Sequence, residues 1–343
     1  MLKKKEQLFT SEKAVIASDL FLPLKLYKIP NNFFSQLYKS FPNIKFVELN
    51  TPGSPIYNND ASIYFGNIIT KETIKKMPGL KWIHFGSVGI NRANIKEVYE
   101  RKIIVTNSKG LLTNSMVTTA LAFISSLLRG MHYCNNLKNE NNLSRESFDK
   151  YFNNITDLYN KSCLIVGYGD VGKKLAKILK QFDMKIYTIS RQKNIDNFVY
   201  KNYELYELEE AVSNADIIVN LLPLTKETKN IFSKKIFESM KKNPIFINVG
   251  RGETVDEKQL IIALKNKIIS GAGLDVFANE PLPKNSLLFD FENVIITPHI
   301  AGLNRDYWEK QYELFSHNLY SYFHSKDQLK NLVQLSTESL LDE

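Results

Sequence analysis

Cys163-Leu164-Ile165-Val166-Gly167-Tyr168-Gly169-Asp170-Val171-Gly172 reads as a buried strand, a tight turn and the opening of a helix. The turn matches G-x-G-x-x-G. That string is weak by itself and informative between a strand and a helix. Gly167 permits the turn, Gly169 lets a pyrophosphate approach the backbone, and Gly172 lets helix and strand pack closely. The helix start offers free N–H groups and the positive end of its dipole to phosphates. The bland alternative is a tight turn that binds nothing. After a helix over 173–182, the next strand, Met184–Ile189, ends at Ser190-Arg191. An NAD-selective site places an acid there to accept from the ribose 2′-hydroxyl. Here the nearest acid, Asp196, lies beyond the tip. Ser190 and Arg191 suit a 2′-phosphate, so NADP(H) is favoured, with NAD(H) the alternative if Arg191 is only a solvated loop residue.

Further strands downstream are Ile217–Leu221, Ile245–Val249, Gly271–Asp275 and Val294–Thr297, with a helix over Asp256–Lys265. Upstream, Ala14–Leu20, Ile44–Glu48, Ser62–Phe65, Leu80–Phe85 and Ile103–Thr106 read as strands, and Asn31–Ser40 and Lys71–Met77 as helices. Such alternation predicts parallel sheets flanked by helices. Ser115–Arg129 is apolar on nearly every face, as expected of a helix buried at a junction or subunit interface. Residues 135–154 carry seven Asn and read as a surface arm or loop. Trp308, Tyr312, Phe315, Leu319 and Phe323 form one helical stripe, expected to be core.

At 343 residues the chain suggests two domains. With 43% hydrophobic and 24% charged residues, it is globular in composition. The net charge is +9, from 45 Lys+Arg against 36 Asp+Glu. The excess is spread along the chain and no nucleic-acid module accompanies it, so no nucleic-acid partner is expected. Two cysteines, Cys134 and Cys163, cannot make a disulfide framework, and the start around Lys3–Lys5 does not read as a signal peptide. No apolar stretch is long enough to span a bilayer. A cytoplasmic protein with no membrane partner and no metal site is expected.

Three chemically active residues follow strand ends, the edge where open α/β sheets bind ligands. Arg251 and Gly252 follow Ile245–Gly250, and Asp275 closes Gly271–Leu274. His299 follows Thr297-Pro298, with Glu280 just after Asp275. A lone His in such a loop is usually structural. An Arg, a Glu and a His converging beside a nicotinamide site form a set able to move a proton and hold an anion.

The glycine loop, Asn248-Val249-Gly250-Arg251-Gly252, Glu280-Pro281-Leu282-Pro283 and Pro298-His299-Ile300-Ala301-Gly302 together resemble the D-isomer-specific 2-hydroxyacid dehydrogenases, of glyoxylate/hydroxypyruvate reductase type. The likeness runs from about Ala61 to Val333 and includes Gly86-Ser87-Val88-Gly89, Val105-Thr106-Asn107 and Asn331-Leu332-Val333. It implies two Rossmann-like or flavodoxin-like α/β domains with parallel sheets. A substrate domain of residues 1–110 and 304–343 would be interrupted by a nucleotide-binding domain of residues 111–303. It also implies hydride transfer between a nicotinamide cofactor and a small 2-oxo or 2-hydroxy acid. His299 would be the acid/base, Glu280 its partner, and Arg251 the group polarising the carbonyl. The N–H groups of Val88 and Gly89 would take the carboxylate, and Asp275 the nicotinamide carboxamide. Leu222, Pro223 and Thr228 would line the cofactor channel; Val249, Gly250 and Gly302 complete the cofactor contacts. A homodimer is implied, through Ser115–Arg129 and the Asn-rich arm.

Asn91-Arg92 stand where the family commonly has an Asp, and Val117-Thr118-Thr119 where many members have Ala-Glu-His. Both departures weaken substrate assignment by likeness. Arg92 is expected at the surface, with contact to a second anionic group as the alternative, and Trp308 gains a substrate-pocket alternative to its core role. Two other functions are weighed: a phosphoglycerate-type dehydrogenase, in a short form because the chain ends soon after Val333, and a nucleotide-sensing corepressor-like protein. The intact Arg251, Glu280 and His299 favour catalysis over the latter.

Overall fold

The structure, a computed structural model, describes residues 13–20, 28–48, 60–67, 69–89, 95–149, 151–152, 155–192, 196–241 and 243–334. Lys3–Lys5, Asn91 and Arg92 lie outside the described residues. The chain forms two units, Met1–Leu112 with Asn304–Glu343, and Thr113–Leu303.

The first unit contains β1 (Ala14–Ser18), β2 (Ile44–Glu48), β3 (Ile63–Gly66), β4 (Trp82–Phe85) and β5 (Ile104–Asn107). They form a parallel sheet in the order β2-β1-β3-β4-β5. Both faces are buried, which explains the near-continuous apolar strands. Ile16, Ile63, Phe65 and Trp82 face one cluster; Ala17, Tyr64, Ile83, Phe85 and Val105 face the other. The helix Tyr307–His324 covers the first face. Its Phe315 stacks on Phe65 at 4.4 Å and on Trp82 at 5.5 Å. The aromatic stripe is therefore core, and Trp308 packs edge-on against Phe33. Burial of each such side chain is worth roughly 1.5–3 kcal/mol, so residues far apart in sequence close one unit. Leu332 pairs with Thr106, extending the sheet at β5 by one antiparallel bridge.

His84 on β4 is fully buried. Its Nε2 accepts from Gln311 Nε2 at 2.9 Å, leaving Nδ1 to donate to Thr106 Oγ1 at 2.7 Å. Burial pushes its pKa down from 6.5 to about 3. Unfolded, the imidazole takes up a proton below about 6.5. The unfolded state therefore binds more protons between the two values, and stability falls as pH drops through that window. The expected loss is roughly 1.4 kcal/mol per pH unit below about 6.5. Thermal unfolding of wild type and His84→Gln, followed from neutral to mildly acid pH, checks this. The variant should lose stability with acid less steeply; equal slopes would refute the assignment.

The second unit contains β6 (Ser162–Val166), β7 (Lys185–Ile189), β8 (Val199–Tyr203), β9 (Ile217–Asn220), β10 (Ile245–Asn248), β11 (Gly271–Leu274) and β12 (Val294–Ile296). All are parallel, in the order β12-β11-β10-β9-β6-β7-β8. The order reverses between β6 and β9, the switch point where such sheets bind nucleotides. The helix Thr113–Arg129 buries Val117, Ala120, Phe123, Ile124, Leu127 and Leu128 against this sheet.

Two expectations are corrected. Residues 135–154 are not a loop: helices Met131–Asn139 and Arg145–Asp149 occupy much of that stretch. Tyr133 and Leu137, four residues apart, are buried, and Tyr151 stacks on Tyr133 at 5.1 Å. Asparagine density hid this short i, i+4 stripe. The helix after the glycine loop starts at Asp170 rather than Lys173, because Gly169 caps it, and its last turn, Lys180–Phe182, tightens to 3-10 geometry. β8 and the helices Leu208–Val212 and Lys234–Glu238 went unread, being short or half polar. Among the described residues no helix is long and apolar enough to cross a membrane.

Candidate active site

The strand ends of the second unit gather the polar residues singled out in the sequence. β6 is followed by Gly167, whose φ of +104° suits glycine, and a Cβ there would lie 3.0 Å from the Leu221 carbonyl carbon. The turn therefore needs glycine for both conformation and space. Nothing lies within 4 Å of a Cβ built on Gly169, so this exposed backbone borders open space at the start of the helix Asp170–Leu179. Open backbone at a helix N-terminus fits the pyrophosphate of a dinucleotide. Val171 is half-buried and Gly172 buried. Tyr168 is buried and its hydroxyl donates to Asp196 at 2.7 Å. Burial and that carboxylate raise its pKa.

At the tip of β7, Ser190 Oγ accepts from Gln192 N at 3.0 Å, and the Ser190 carbonyl accepts from Asn202 Nδ2. Arg191 is exposed beside this turn. The Thr225 hydroxyl, donating at 2.7 Å, holds the Glu227 carboxyl below the usual range, with Arg191 adding a smaller attraction. Beyond β9, Leu222 is buried in the core and Pro223 is exposed. The Thr228 hydroxyl donates to the Pro223 carbonyl and accepts from Thr225 N, both at 2.7 Å, so it fastens this turn.

A buried amide network ties β9 to β10. Asn220 Nδ2 donates to Asn248 Oδ1 at 3.0 Å and to Thr254 Oγ1 at 2.7 Å. Asn248 Oδ1 also accepts from Gly250 N. The Arg251 carbonyl accepts from Thr254 Oγ1 at 2.6 Å and from Asn248 Nδ2 at 3.3 Å. Val249 is buried beneath. Arg251 is thus held by its backbone while its guanidinium folds onto the Gly250 carbonyl at 2.8 Å. Sequence reading missed Asn220 and Asn248 as supports; the available signal was an amide closing each of two apolar strands.

His299 stands at φ 54° in the turn after β12. Left-handed backbone is costly for a non-glycine residue, so the surroundings must impose it. Asp275 does so. It is 1% exposed. Its Oδ1 accepts from the Thr297 hydroxyl and Ile300 N, its Oδ2 from Ala301 N, and its carbonyl from His299 N at 2.8 Å. Asp275 therefore anchors the histidine turn, a contact the sequence did not suggest; Gly302, half-buried, closes it. His299 Nδ1 lies 2.7 Å from Glu280 Oε2, and Glu280 Oε1 accepts from Phe277 N at 3.1 Å. Glu280 thereby fixes the ring's orientation through Nδ1, and half the His299 side chain is exposed.

In the first unit, Val88 is exposed and Gly89 half-buried in the loop after β4. Among the described residues no group of three or more His, Cys, Asp or Glu is placed to hold a metal ion.

Comparison with known proteins adds family information. The model of the D-isomer specific 2-hydroxyacid dehydrogenase NAD binding domain matches residues 121–301. A glyoxylate reductase of Thermofilum pendens is 34% identical over 253 residues, spanning 73% of this chain and 74% of the relative. A glyoxylate reductase of Pyrococcus furiosus is 33% identical over 257 residues, spanning 74% and 76%. The fold is similar to that of an NADPH-dependent glyoxylate/hydroxypyruvate reductase from Sinorhizobium meliloti, solved with NADP and malonate. That match has a TM-score of 0.77 at 23% identity and covers 96% of this chain and 98% of that one. The chain belongs to the D-isomer-specific 2-hydroxyacid dehydrogenase family, oxidoreductases with an NAD(P)-binding domain that act on CH–OH donors.

Proposed function

We propose that this protein is an NADPH-preferring reductase of small 2-oxo acids, of the glyoxylate/hydroxypyruvate type. The observation that carries the reaction is the 2.7 Å pair between Glu280 and His299 beside the strand edge. A bound nicotinamide cofactor supplies the hydride. His299 Nε2 donates the proton to the oxygen at C2 and takes it back in the reverse direction. Glu280 holds Nδ1, which fixes the tautomer and the orientation of the ring. The Arg251 guanidinium holds substrate oxygen; its planar fork does this where lysine would not. Val88 and Gly89 N–H groups are assigned the substrate carboxylate. Thr113–Leu303 is assigned to the cofactor, and Met1–Leu112 with Asn304–Glu343 to the substrate. A cytoplasmic homodimer built through the helix Thr113–Arg129 and the segment after it is part of this reading.

The NADP preference rests on Ser190 and Arg191, with no acid in that turn, and Asp196 engaged by Tyr168. A charge-assisted pair with a 2′-phosphate is worth about 1.5–3 kcal/mol. Arg191→Ala should therefore lower kcat/KM for NADPH by about tenfold or more and leave NADH within twofold. Parallel steady-state kinetics with both cofactors measure this. An unchanged NADPH/NADH ratio would remove Arg191 from the selectivity.

A further inference from the structure

The loop Gly86–Gly89 has every carbonyl tied down. The Gly86 carbonyl accepts from the Tyr307 hydroxyl at 2.5 Å, and the Ser87 carbonyl from Ser108 N at 3.1 Å. The Val88 carbonyl accepts from Asn107 Nδ2 at 2.8 Å, and the Gly89 carbonyl from Ser87 Oγ at 2.9 Å. The N–H groups of Ser87, Val88 and Gly89 donate to no atom of the described residues. In a trans peptide the carbonyl and the following N–H point opposite ways. Anchoring the Ser87 carbonyl aims the Val88 N–H; anchoring the Val88 carbonyl aims the Gly89 N–H. Successive N–H groups held this way form a concave anion site.

Both anchors come from Asn107-Ser108, and that pair is itself clamped. Asn107 N donates to the Asn331 carbonyl at 3.2 Å. Asn331 Nδ2 donates to the carbonyls of Asn107 at 3.1 Å and Lys109 at 2.8 Å. Asn107 Oδ1 accepts from Lys109 N, which fixes the amide so that Nδ2 faces Val88.

We infer that Asn107 is a positioning residue for the substrate carboxylate, acting through the Val88 carbonyl, and that Asn331 is the latch that holds it. The inference rests on the proposal that Val88 and Gly89 take the carboxylate. Neither asparagine acts on the oxidised carbon, so the effect belongs in substrate affinity.

The test is steady-state kinetics on the full chain with Asn107→Ala, Asn331→Gly and Val88→Pro, using hydroxypyruvate as substrate and oxalate as competitive inhibitor. Asn331→Gly removes the latch while suiting the residue's φ of 56°. Asn107→Ala should raise KM for the oxo acid and Ki for oxalate together, by about tenfold, equivalent to ~1.4 kcal/mol. Turnover at saturation, cofactor KM and the pH profile should stay unchanged, and Asn331→Gly should give a smaller rise of the same kind. A purely structural role would instead lower kcat through lost folded enzyme and leave KM alone. A folded Asn107→Ala protein with unchanged KM and Ki overturns the inference. Val88→Pro, which deletes one N–H, separates the two claims. If it raises KM while Asn107→Ala does not, only the positioning role fails. If neither variant raises KM, the carboxylate assignment itself fails.

Discussion

Replacing His299 with Asn should lower turnover of 2-oxo acids by about 10²–10⁴-fold, the usual contribution of a positioned general acid. Asparagine is the informative substitute. It tolerates the left-handed backbone that His299 adopts at φ 54°, so the turn built on Asp275 should survive. It also fills part of the space beside Glu280 without a ring nitrogen able to carry the transferred proton. Cofactor binding, read by nucleotide fluorescence, should change by less than about threefold, because no glycine-loop contact is altered. Turnover retained within tenfold would show that another group supplies the proton, and a cofactor-sensing role would gain ground.

Gly252→Ala should damage both stability and catalysis, although it adds only one methyl group. A Cβ at Gly252 would run into the main-chain carbonyl of Phe277. Neither backbone can withdraw freely. The Arg251 carbonyl is fastened by Thr254 and Asn248, and Phe277 N donates to Glu280. Forcing extra atoms into a packed site costs typically about 1–3 kcal/mol. For a unit of this size that corresponds to a fall in Tm of roughly 2–12 °C. Displacing Phe277 also moves the donor that orients Glu280, so kcat should fall by about tenfold even in the folded fraction, a loss of ~1.4 kcal/mol. Calorimetry with kinetics at a temperature well below the transition separates the two effects. An unchanged Tm and kcat would mean the two segments are not packed as described.

Much of this site was legible because its chemistry is local in sequence. The glycine loop needs three glycines at fixed spacing, and the residues after β10 and β12 stand out as polar punctuation after apolar strands. What could not be read is how such residues are held. The carboxylate of Asp275 is engaged by the Thr297 hydroxyl and the backbone of Ile300 and Ala301, a holding role that no local sequence pattern marks. Asn220 and Asn248 are 28 positions apart, and only the register of β9 beside β10 brings their amides together. Likewise Asn331 reaches Asn107 across 224 residues, because the helix Tyr307–His324 must return to cover the first sheet. The helices after Gly130 escaped notice for a different reason. Their apolar stripe is short, and the surrounding asparagines lowered the apparent periodicity below what a helix usually shows.

The most direct test of the central claim is the initial rate of NADPH oxidation by the wild-type protein with glyoxylate, hydroxypyruvate and pyruvate, repeated with NADH. Turnover of at least one of these oxo acids is expected, lowered by about 10²–10⁴-fold in His299→Asn, with kcat/KM higher for NADPH. Nicotinamide cofactor that binds tightly while no 2-oxo acid is reduced by either cofactor would contradict it.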